Sequence, residues 1–132
     1  MRYMLDTNIC IYAIKKSPKS LLDRLSCREP GDCCISSITF SELMYGVEKS
    51  STPERNRMAL ALFLSAFEVI GFDSNAAIEF GDIRASLERK RTPIGPLDTL
   101  IAAHARSRGL VLVTNNEKEF SRVDGLLVEN WV

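Results

Sequence analysis

The sequence predicts an α/β protein, a three-layer α/β/α sandwich with a mainly parallel central sheet. Short apolar runs of strand length alternate with helical segments along the chain. The run Leu110–Val113 is apolar throughout, which is typical of a strand buried on both faces. The segments between the strands are long enough to be helical crossovers, and strands joined by crossovers pair in parallel.

Helix boundary signals and hydrophobic periodicity define the predicted elements of the first half. In order, these are a strand ending at Leu5, a helix from Asn8 to Lys16, a helix from Pro18 to Cys27, a turn over 28–32, a strand over Cys33–Ser36 and a helix from Ser37 to Lys49.

The same signals divide the second half. The predicted elements are a long helix from Pro53, a strand over Val69–Phe72, a helix from Asp73 or Ser74 to Lys90, a rigid loop over 91–96, a helix over Leu97–Arg108, the strand Leu110–Val113 and an edge strand over Leu126–Val128. The helix after Pro53 is apolar on several sides. We therefore expect Phe63 or Phe67 at or near a subunit interface, with a role inside the core as the alternative.

Length and composition indicate one ordinary globular domain over residues 1–132. The chain is 45% hydrophobic and 26% charged, and its 17 Lys and Arg residues balance 17 Asp and Glu residues. This balance gives no overall attraction to nucleic acid or membranes, so any nucleic-acid contact must come from local patches. No apolar run has the length of a membrane span, and the N-terminus does not resemble a signal peptide. These features predict a cytoplasmic protein.

Cysteine and histidine usage argues against a zinc site and against a disulfide framework. The chain has one histidine, His104, and no CxxC pair. Its spacing from Asp98 takes His104 off the helical face of that residue, which favours a packing or surface role over general base catalysis. We expect reduced, structural thiols at the four cysteines, which are Cys10, Cys27, Cys33 and Cys34.

Four carboxylates are predicted to approach one end of the sheet. Asp6 follows the first strand, Glu42 lies early in the helix after the second, Asp98 opens the helix before the last core strand, and Glu119 follows that strand. Ligands of open α/β sheets bind outside the carboxyl ends of the strands. Because like charges at close range repel, four converging acids point to a cation, and oxygen ligands favour Mg²⁺ or Mn²⁺.

Each acid also has a purely structural explanation. Asp6 or its neighbour would cap the following helix, and Glu42 would complete a Thr-x-x-Glu capping box with Thr39. Asp98 would complement a helix dipole, and Glu119 would be a solvated acid in a first turn. Taken singly these explanations are preferred, but convergence of all four at one sheet end favours the metal site.

Four motifs in order resemble those of the PIN-domain nucleases. They are L-D-T-N near the start, S-x-x-T-x-x-E-L-x-x-G from Ser36, P-I-G-P-L-D before the penultimate strand, and L-V-T-N-N-x-x-E-F from Leu112. Within that family the whole chain is similar to the VapC ribonuclease toxins of bacterial toxin–antitoxin pairs. The resemblance implies a PIN-like fold, Mg²⁺-dependent endoribonuclease activity, inhibition by a VapB-type antitoxin, and homodimers that assemble further. The subgroup that the chain most resembles targets initiator tRNA.

The resemblance also implies roles for individual acids. Asp6 and Asp98 would bind the metal directly, and Glu42 directly or through water. Where many PIN domains have a further acid, this chain has Asn116. Glu119 is left as the fourth acid, and the number of metals stays open.

Substrate contacts are predicted around the same site. Asn8, Thr114 and Asn116 would position ligands or phosphate. Arg89 and Arg91 belong to the densest basic run, which leads into the loop before the third acid. They would either contact the RNA backbone or complete a helix C-terminus, and both explanations stay open.

The alternatives to a nuclease are a phosphatase, a response-regulator receiver and a non-catalytic binding domain. A haloacid-dehalogenase-like phosphatase needs a second Asp two residues after the first, where this chain has Asn8. A response-regulator receiver needs adjacent acids there and a Lys after a late strand. The stronger alternative is a non-catalytic RNA- or protein-binding PIN-like domain with a vestigial acid cluster, which Asn116 keeps open.

Overall fold

The computed structural model describes residues 1–29 and 31–132, and in these residues five strands and seven helices are found. They are, in chain order, β1 (Tyr3–Leu5), α1 (Thr7–Ile14), α2 (Lys19–Ser26), β2 (Cys33–Ser36), α3 (Ser37–Lys49), α4 (Pro53–Leu64), β3 (Glu68–Ile70), α5 (Ser74–Arg89), α6 (Pro96–Ser107), β4 (Val111–Val113), α7 (Glu117–Phe120) and β5 (Leu127–Glu129).

The strands form one parallel sheet in the order β3-β2-β1-β4-β5. Tyr3 of the central strand is opposite Cys33 of β2 and Val111 of β4. The predicted parallel α/β fold is confirmed, and β5 is the edge strand that the sequence indicates. Because β1 is central, the residue after Leu5 enters the middle of the carboxyl edge of the sheet.

Helices cover both faces of the sheet and produce two hydrophobic clusters. Met4 and Leu112 point into the cluster formed with α5 and α6, whereas Leu5 and Ile35 point into the cluster formed with α1 to α4. This alternation follows from the two-residue period of a strand. Because β2, β1 and β4 are covered on both faces, their residues are buried continuously rather than alternately, whereas the outer strands β3 and β5 keep exposed residues.

Helix α7 is the one element that the sequence analysis missed. It has four residues, of which Phe120 is buried, and four residues are too few to show a helical period. The other elements match the predicted ones with ends shifted by one to three residues, and β3 begins earlier, at Glu68. The predicted turn over 28–32 contains Pro30, which lies outside the described residues.

The predicted packing role of His104 is confirmed. Its ring is fully buried, its Nδ1 atom lies 2.7 Å from Ser36 Oγ, and its ring centroid is 5.5 Å from that of Phe72. Burial lowers the pKa of this imidazole, which favours the neutral form. The four cysteines have free thiols, and Cys27 is exposed whereas the other three are buried.

Helix α4 ends at Leu64, so the predicted helix from Pro53 through Phe67 is three residues too long. The helix and the turn after it have two kinds of apolar residue. Phe63 and Phe67 are half-buried, pack on the α1 to α4 side of the sheet, and have ring centroids 4.8 Å apart. Met58 and Leu62 are about three-quarters exposed. The breadth of apolar residues is therefore partly explained by the core, and an interface at the two phenylalanines stays a prediction. Across residues 1–29 and 31–132, no helix is long and apolar enough to cross a membrane.

Candidate active site

Asp6 lies at the centre of the carboxyl edge of the sheet. Its backbone N–H donates to Val113 O at 3.0 Å, so the residue continues the pairing of β1 with β4 before α1 begins. The side chain is 4% exposed, and its Oδ1 atom accepts from the Ile9 N–H at 2.9 Å. The predicted helix cap is therefore confirmed.

The Asp6 carboxyl group also carries the electrostatic signature of a functional site. Burial raises its pKa to about 6, although hydrogen bonds from the Thr114 hydroxyl and the Ile9 N–H partly offset this rise. The nearby carboxylates of Asp98 and Glu42 raise the pKa further. The hydrogen bonds of the cap by themselves would lower this pKa, because they favour the charged carboxylate, so the rise comes from burial first and from the neighbouring acids second.

The capping-box explanation of Glu42 is wrong. Ser36 is the N-cap of α3, where its hydroxyl accepts from the Ile38 N–H at 3.1 Å, and Thr39 is fully buried inside the helix. Since the N-cap Ser36 lies three residues before the expected cap, Glu42 is too far along α3 to reach the orphan N–H groups of the first turn. Its Oε1 atom instead accepts from Thr7 Oγ1 at 2.6 Å.

Asp98 is held by a sharply defined helix start. Gly95 is the N-cap and Pro96 the first residue of α6, which places Asp98 in the first turn as expected for dipole complementation. Its side chain is half-buried. Burial raises the pKa of this carboxyl group, and the charges of Glu119 and Glu42 raise it further.

The structure brings Asp98 within electrostatic range of the other three predicted acids. Asp6 interacts with Asp98 and Glu42, and Asp98 interacts with Glu42 and with Glu119 of α7. Within the described parts of the chain, no three His, Cys, Asp or Glu side chains are gathered closely enough to form a ready-made metal-binding group. The acids are therefore close enough for their negative charges to repel one another, but they do not form a closed set of ligands.

Thr114 links the two central strands at this edge. Its side chain is fully buried, and its hydroxyl accepts from the Asn116 N–H at 2.9 Å while bonding to Asp6. Asn116 directly precedes α7 and is half-buried, so it lies at the rim of the site. Asn8 lies in the first turn of α1 and is exposed.

The two predicted substrate-binding arginines lie at the C-terminal end of α5, and both are exposed. Arg91 has a left-handed backbone with φ of 59°, which ends the helix. Arg89 lines a surface pocket together with Arg122, and Arg122 Nη1 donates to Pro93 O at 3.1 Å. Pro93 belongs to the loop before Asp98, so Arg122 joins the pocket that Arg89 lines to that loop.

Thr7 is a site residue whose role the sequence analysis missed. Its hydroxyl bridges from α1 to a carboxylate 35 positions away in the sequence. Because Thr7 directly follows Asp6, the sequence suggests that it could cap the helix in place of Asp6. No local pattern predicts a partner for it on α3. Predicting this bond would have required knowing how α1 packs against α3, and hydrophobic periodicity does not show how two helices pack.

The oxygen donors define the chemistry of the site. Carboxylates, hydroxyls and amides surround the edge, and the fully buried histidine below it contacts Ser36. Hard oxygen ligands suit Mg²⁺ and Mn²⁺. Buried acids with raised pKa values are stabilised as carboxylates when a cation lies among them. Such a constellation can bind a divalent cation together with a phosphate group.

Comparison with known proteins agrees with this chemistry. Residues 3–126 match the PIN domain family. The chain is 51% identical to the tRNA(fMet)-specific endonuclease VapC of Shigella flexneri over 131 residues, which are 99% of this chain and 98% of that protein. It is 49% identical to ribonuclease VapC2 of Haemophilus influenzae, over 100% of this chain and 99% of that protein.

Solved structures give the same result. The DNA-bound VapBC complex of Salmonella typhimurium contains a chain that superposes with a TM-score of 0.95 at 51% identity, covering 100% of this chain and 99% of that chain. VapBC2 of Rickettsia felis, bound to a promoter DNA fragment, gives 0.94 at 46% identity with both chains covered completely. The family match spans nearly the whole chain, and the identities extend over its full length. This chain therefore belongs to the PIN-domain family and, within it, to the VapC ribonucleases.

Proposed function

We propose that this protein is the toxin of a type II toxin–antitoxin pair, a divalent-metal-dependent endoribonuclease that hydrolyses phosphodiester bonds in initiator tRNA. The observation that carries the proposal is the buried Asp6 carboxyl group, which interacts with Asp98 and Glu42 at the edge of the central strands. The name of the Shigella flexneri relative supplies the substrate class. The proposal takes residues 1–132 as one cytoplasmic nuclease domain.

PIN-domain nucleases are generally dependent on divalent metals. In this chain Asp6 and Asp98 would hold Mg²⁺, or Mn²⁺ in its place, while Glu42 would bind it directly or through water. Glu119 would complete the set of acids, and one or two cations fit this proposal because Asn116 supplies no charge. When bound, the cation would activate a water for in-line attack and offset the charge developing on phosphorus.

The side chains around the acids have separate tasks in this proposal. Thr114 orients the Asp6 carboxyl group through its hydroxyl, and burial of both residues excludes bulk water from that side. Asn116 and Asn8 would contact the phosphate or a water ligand at the rim. Low water content strengthens the attraction between carboxylates and a cation. Because only a charged carboxylate attracts the cation in this way, the proposed reaction needs the acids in their charged form.

Protein partners follow from the same relatives. The similar chains in the solved structures come from VapBC complexes, two of which contain DNA. We accordingly propose a VapB-type antitoxin as the partner of this chain, and a homodimer that assembles further with it. The exposed apolar residues Met58 and Leu62 of α4 are consistent with a protein surface that becomes covered.

A cleavage assay tests the proposed function. Purified protein is incubated with initiator tRNA and, separately, with elongator methionine tRNA, in Mg²⁺, in EDTA, and in EDTA followed by excess Mg²⁺. We expect cleavage of initiator tRNA in Mg²⁺, none in EDTA, and recovery after Mg²⁺ is restored. RNA binding without cleavage in every buffer would instead support a non-catalytic domain with a vestigial acid cluster.

The exposed arginines at the end of α5 give a second prediction, about the salt dependence of RNA binding. If Arg89 and Arg91 contact phosphates, the double variant Arg89→Ala/Arg91→Ala removes two contacts. The slope of log K against log salt should then become shallower by roughly 1.4 to 1.8, since each contact contributes about 0.7 to 0.9. The measurement is RNA binding in EDTA over a salt series.

A matched control removes the same charge elsewhere. Arg2→Ala/Arg108→Ala deletes two exposed arginines that precede β1 and β4, at the opposite end of the sheet. This double variant should keep the slope of the wild type. An equal slope for the α5 variant and the wild type would mean that Arg89 and Arg91 only complete the C-terminus of α5.

A further inference from the structure

Thr7 joins the two helices that carry the first two acids of the candidate site. It is the first residue of α1, directly after Asp6, and its hydroxyl donates to Glu42 Oε1 at 2.6 Å. That length is typical of a strong hydrogen bond from a hydroxyl to a charged carboxylate. The Thr39 hydroxyl lies 3.5 Å from the same oxygen of Thr7 and is fully buried. Because a hydroxyl has one proton to donate and Glu42 is the nearer acceptor, the Thr7 hydroxyl donates to Glu42.

The bond is not needed to join the helices. Ile9 of α1 and Leu43 of α3 already belong to one buried cluster, so the helix pair is packed through apolar contacts. Without its partner, the flexible Glu42 side chain would be pushed away from Asp6 and Asp98 by like charge. The Thr7 bond opposes that movement by fixing one of the two carboxylate oxygens.

We infer that Thr7 is a positioning residue of the cation site: its hydroxyl holds Glu42 beside Asp6 and leaves the second carboxylate oxygen of Glu42 free to serve as a ligand. The inference rests on the proposed metal-dependent function. Hydrogen-bonding partners of metal ligands typically change metal affinity by 10- to 100-fold when they are removed. Thr7 would accordingly set how tightly the protein binds its cation without contacting the cation itself.

The test compares Thr7→Val, which keeps the shape of the side chain but lacks the hydroxyl, with Thr7→Ser, which keeps the hydroxyl. Binding of Mn²⁺ to each purified protein is measured by calorimetry in the absence of RNA. We expect Thr7→Val to bind Mn²⁺ about 10- to 100-fold more weakly than the wild type, and Thr7→Ser to stay within about twofold of it. Thr7→Ala provides a second variant without the hydroxyl if the valine is poorly accommodated.

Two further measurements separate positioning from a merely structural role. Thr52→Val makes the same change at an exposed threonine whose side chain does not cap α4, and it should leave Mn²⁺ binding unchanged. In cleavage assays, Thr7→Val should raise the Mg²⁺ concentration needed for half-maximal rate and recover most of the maximal rate at saturating Mg²⁺.

The outcomes distinguish this inference from the function on which it rests. Wild-type Mn²⁺ affinity in Thr7→Val would overturn the inference, and a lowered melting temperature in EDTA beside it would show that Thr7 only joins the two helices. A wild-type protein that neither binds Mn²⁺ nor cleaves RNA would overturn the proposed function itself, and the inference with it.

Discussion

We expect Asp98→Asn to abolish RNA cleavage while the protein still folds and still binds its antitoxin. The expected loss is on the order of 10³-fold or more, because in the proposed site the change would remove a charged ligand from the cation that would stabilise the transition state. Asp98 is half-buried in the first turn of α6, where its charge is opposed by Glu119 and Glu42. Asparagine has nearly the same shape and relieves that repulsion, so the fold should not suffer.

The measurement is the rate of initiator tRNA cleavage in saturating Mg²⁺, beside co-purification with the antitoxin. Asp23→Asn on α2 is the matched control, since it changes an exposed aspartate of another helix and should cleave like the wild type. Full Mg²⁺-dependent cleavage by Asp98→Asn would remove this residue from the site.

We expect Asp6→Asn to be more stable than the wild type in metal-free buffer at pH 8. The folded protein raises the pKa of Asp6 from 3.8 to about 6, which means that the charged form is disfavoured by on the order of 3 kcal/mol relative to the unfolded chain. Asparagine removes that charge but still accepts from the Ile9 N–H, so the cap of α1 is kept.

The pH dependence of the wild type follows with a definite sign. Between about pH 4 and pH 6 the folded, metal-free protein binds a proton at Asp6 that the unfolded chain has released. The contribution of Asp6 to stability therefore rises as the pH falls through about 6 and levels off below about 4. Asp6→Asn lacks this contribution, so the stability difference between the two proteins should shrink as the pH is lowered.

Saturating Mg²⁺ should reverse the order of stability. A cation present at 1,000 times its dissociation constant from the folded wild type would add about 4 kcal/mol, whereas Asp6→Asn would lack one of the proposed ligands and gain less. The measurement is thermal unfolding of both proteins in EDTA and in Mg²⁺ at matched ionic strength and pH 8. A variant less stable than the wild type by similar amounts in both buffers would reduce Asp6 to a helix cap.

The sequence allowed most of the fold to be predicted because its strands are short, apolar and separated by clear helix boundaries. Pro53 and Pro96 mark helix starts that the structure reproduces, and Leu112 and Val113 lie in a core strand buried on both faces. Helix α7 could not be predicted, since its four residues contain one buried side chain, Phe120, and no period. This helix depends on the packing of Phe120 into a cluster formed by distant parts of the chain.

The candidate site was predictable in position but not in detail. Asp6 and Asp98 follow from strand and helix ends, which place polar groups at one edge of a parallel sheet. The local pattern around Glu42 suggested a bond to Thr39, whereas the structure pairs Glu42 with Thr7. A capping box is a local pattern, but the partner of Glu42 is set by how α1 packs on α3, and side-chain contacts between helices are not encoded in either helix alone.

Anomalous diffraction from crystals soaked in Mn²⁺ tests most directly whether the acids at this sheet edge bind a divalent cation. We predict an anomalous peak within coordination distance of Asp6 and Asp98, with Glu42 in the first or second shell, and its loss in crystals of Asp98→Asn. Ordered crystals that cleave RNA in solution with Mn²⁺ and yet show no peak at these carboxylates would contradict the account.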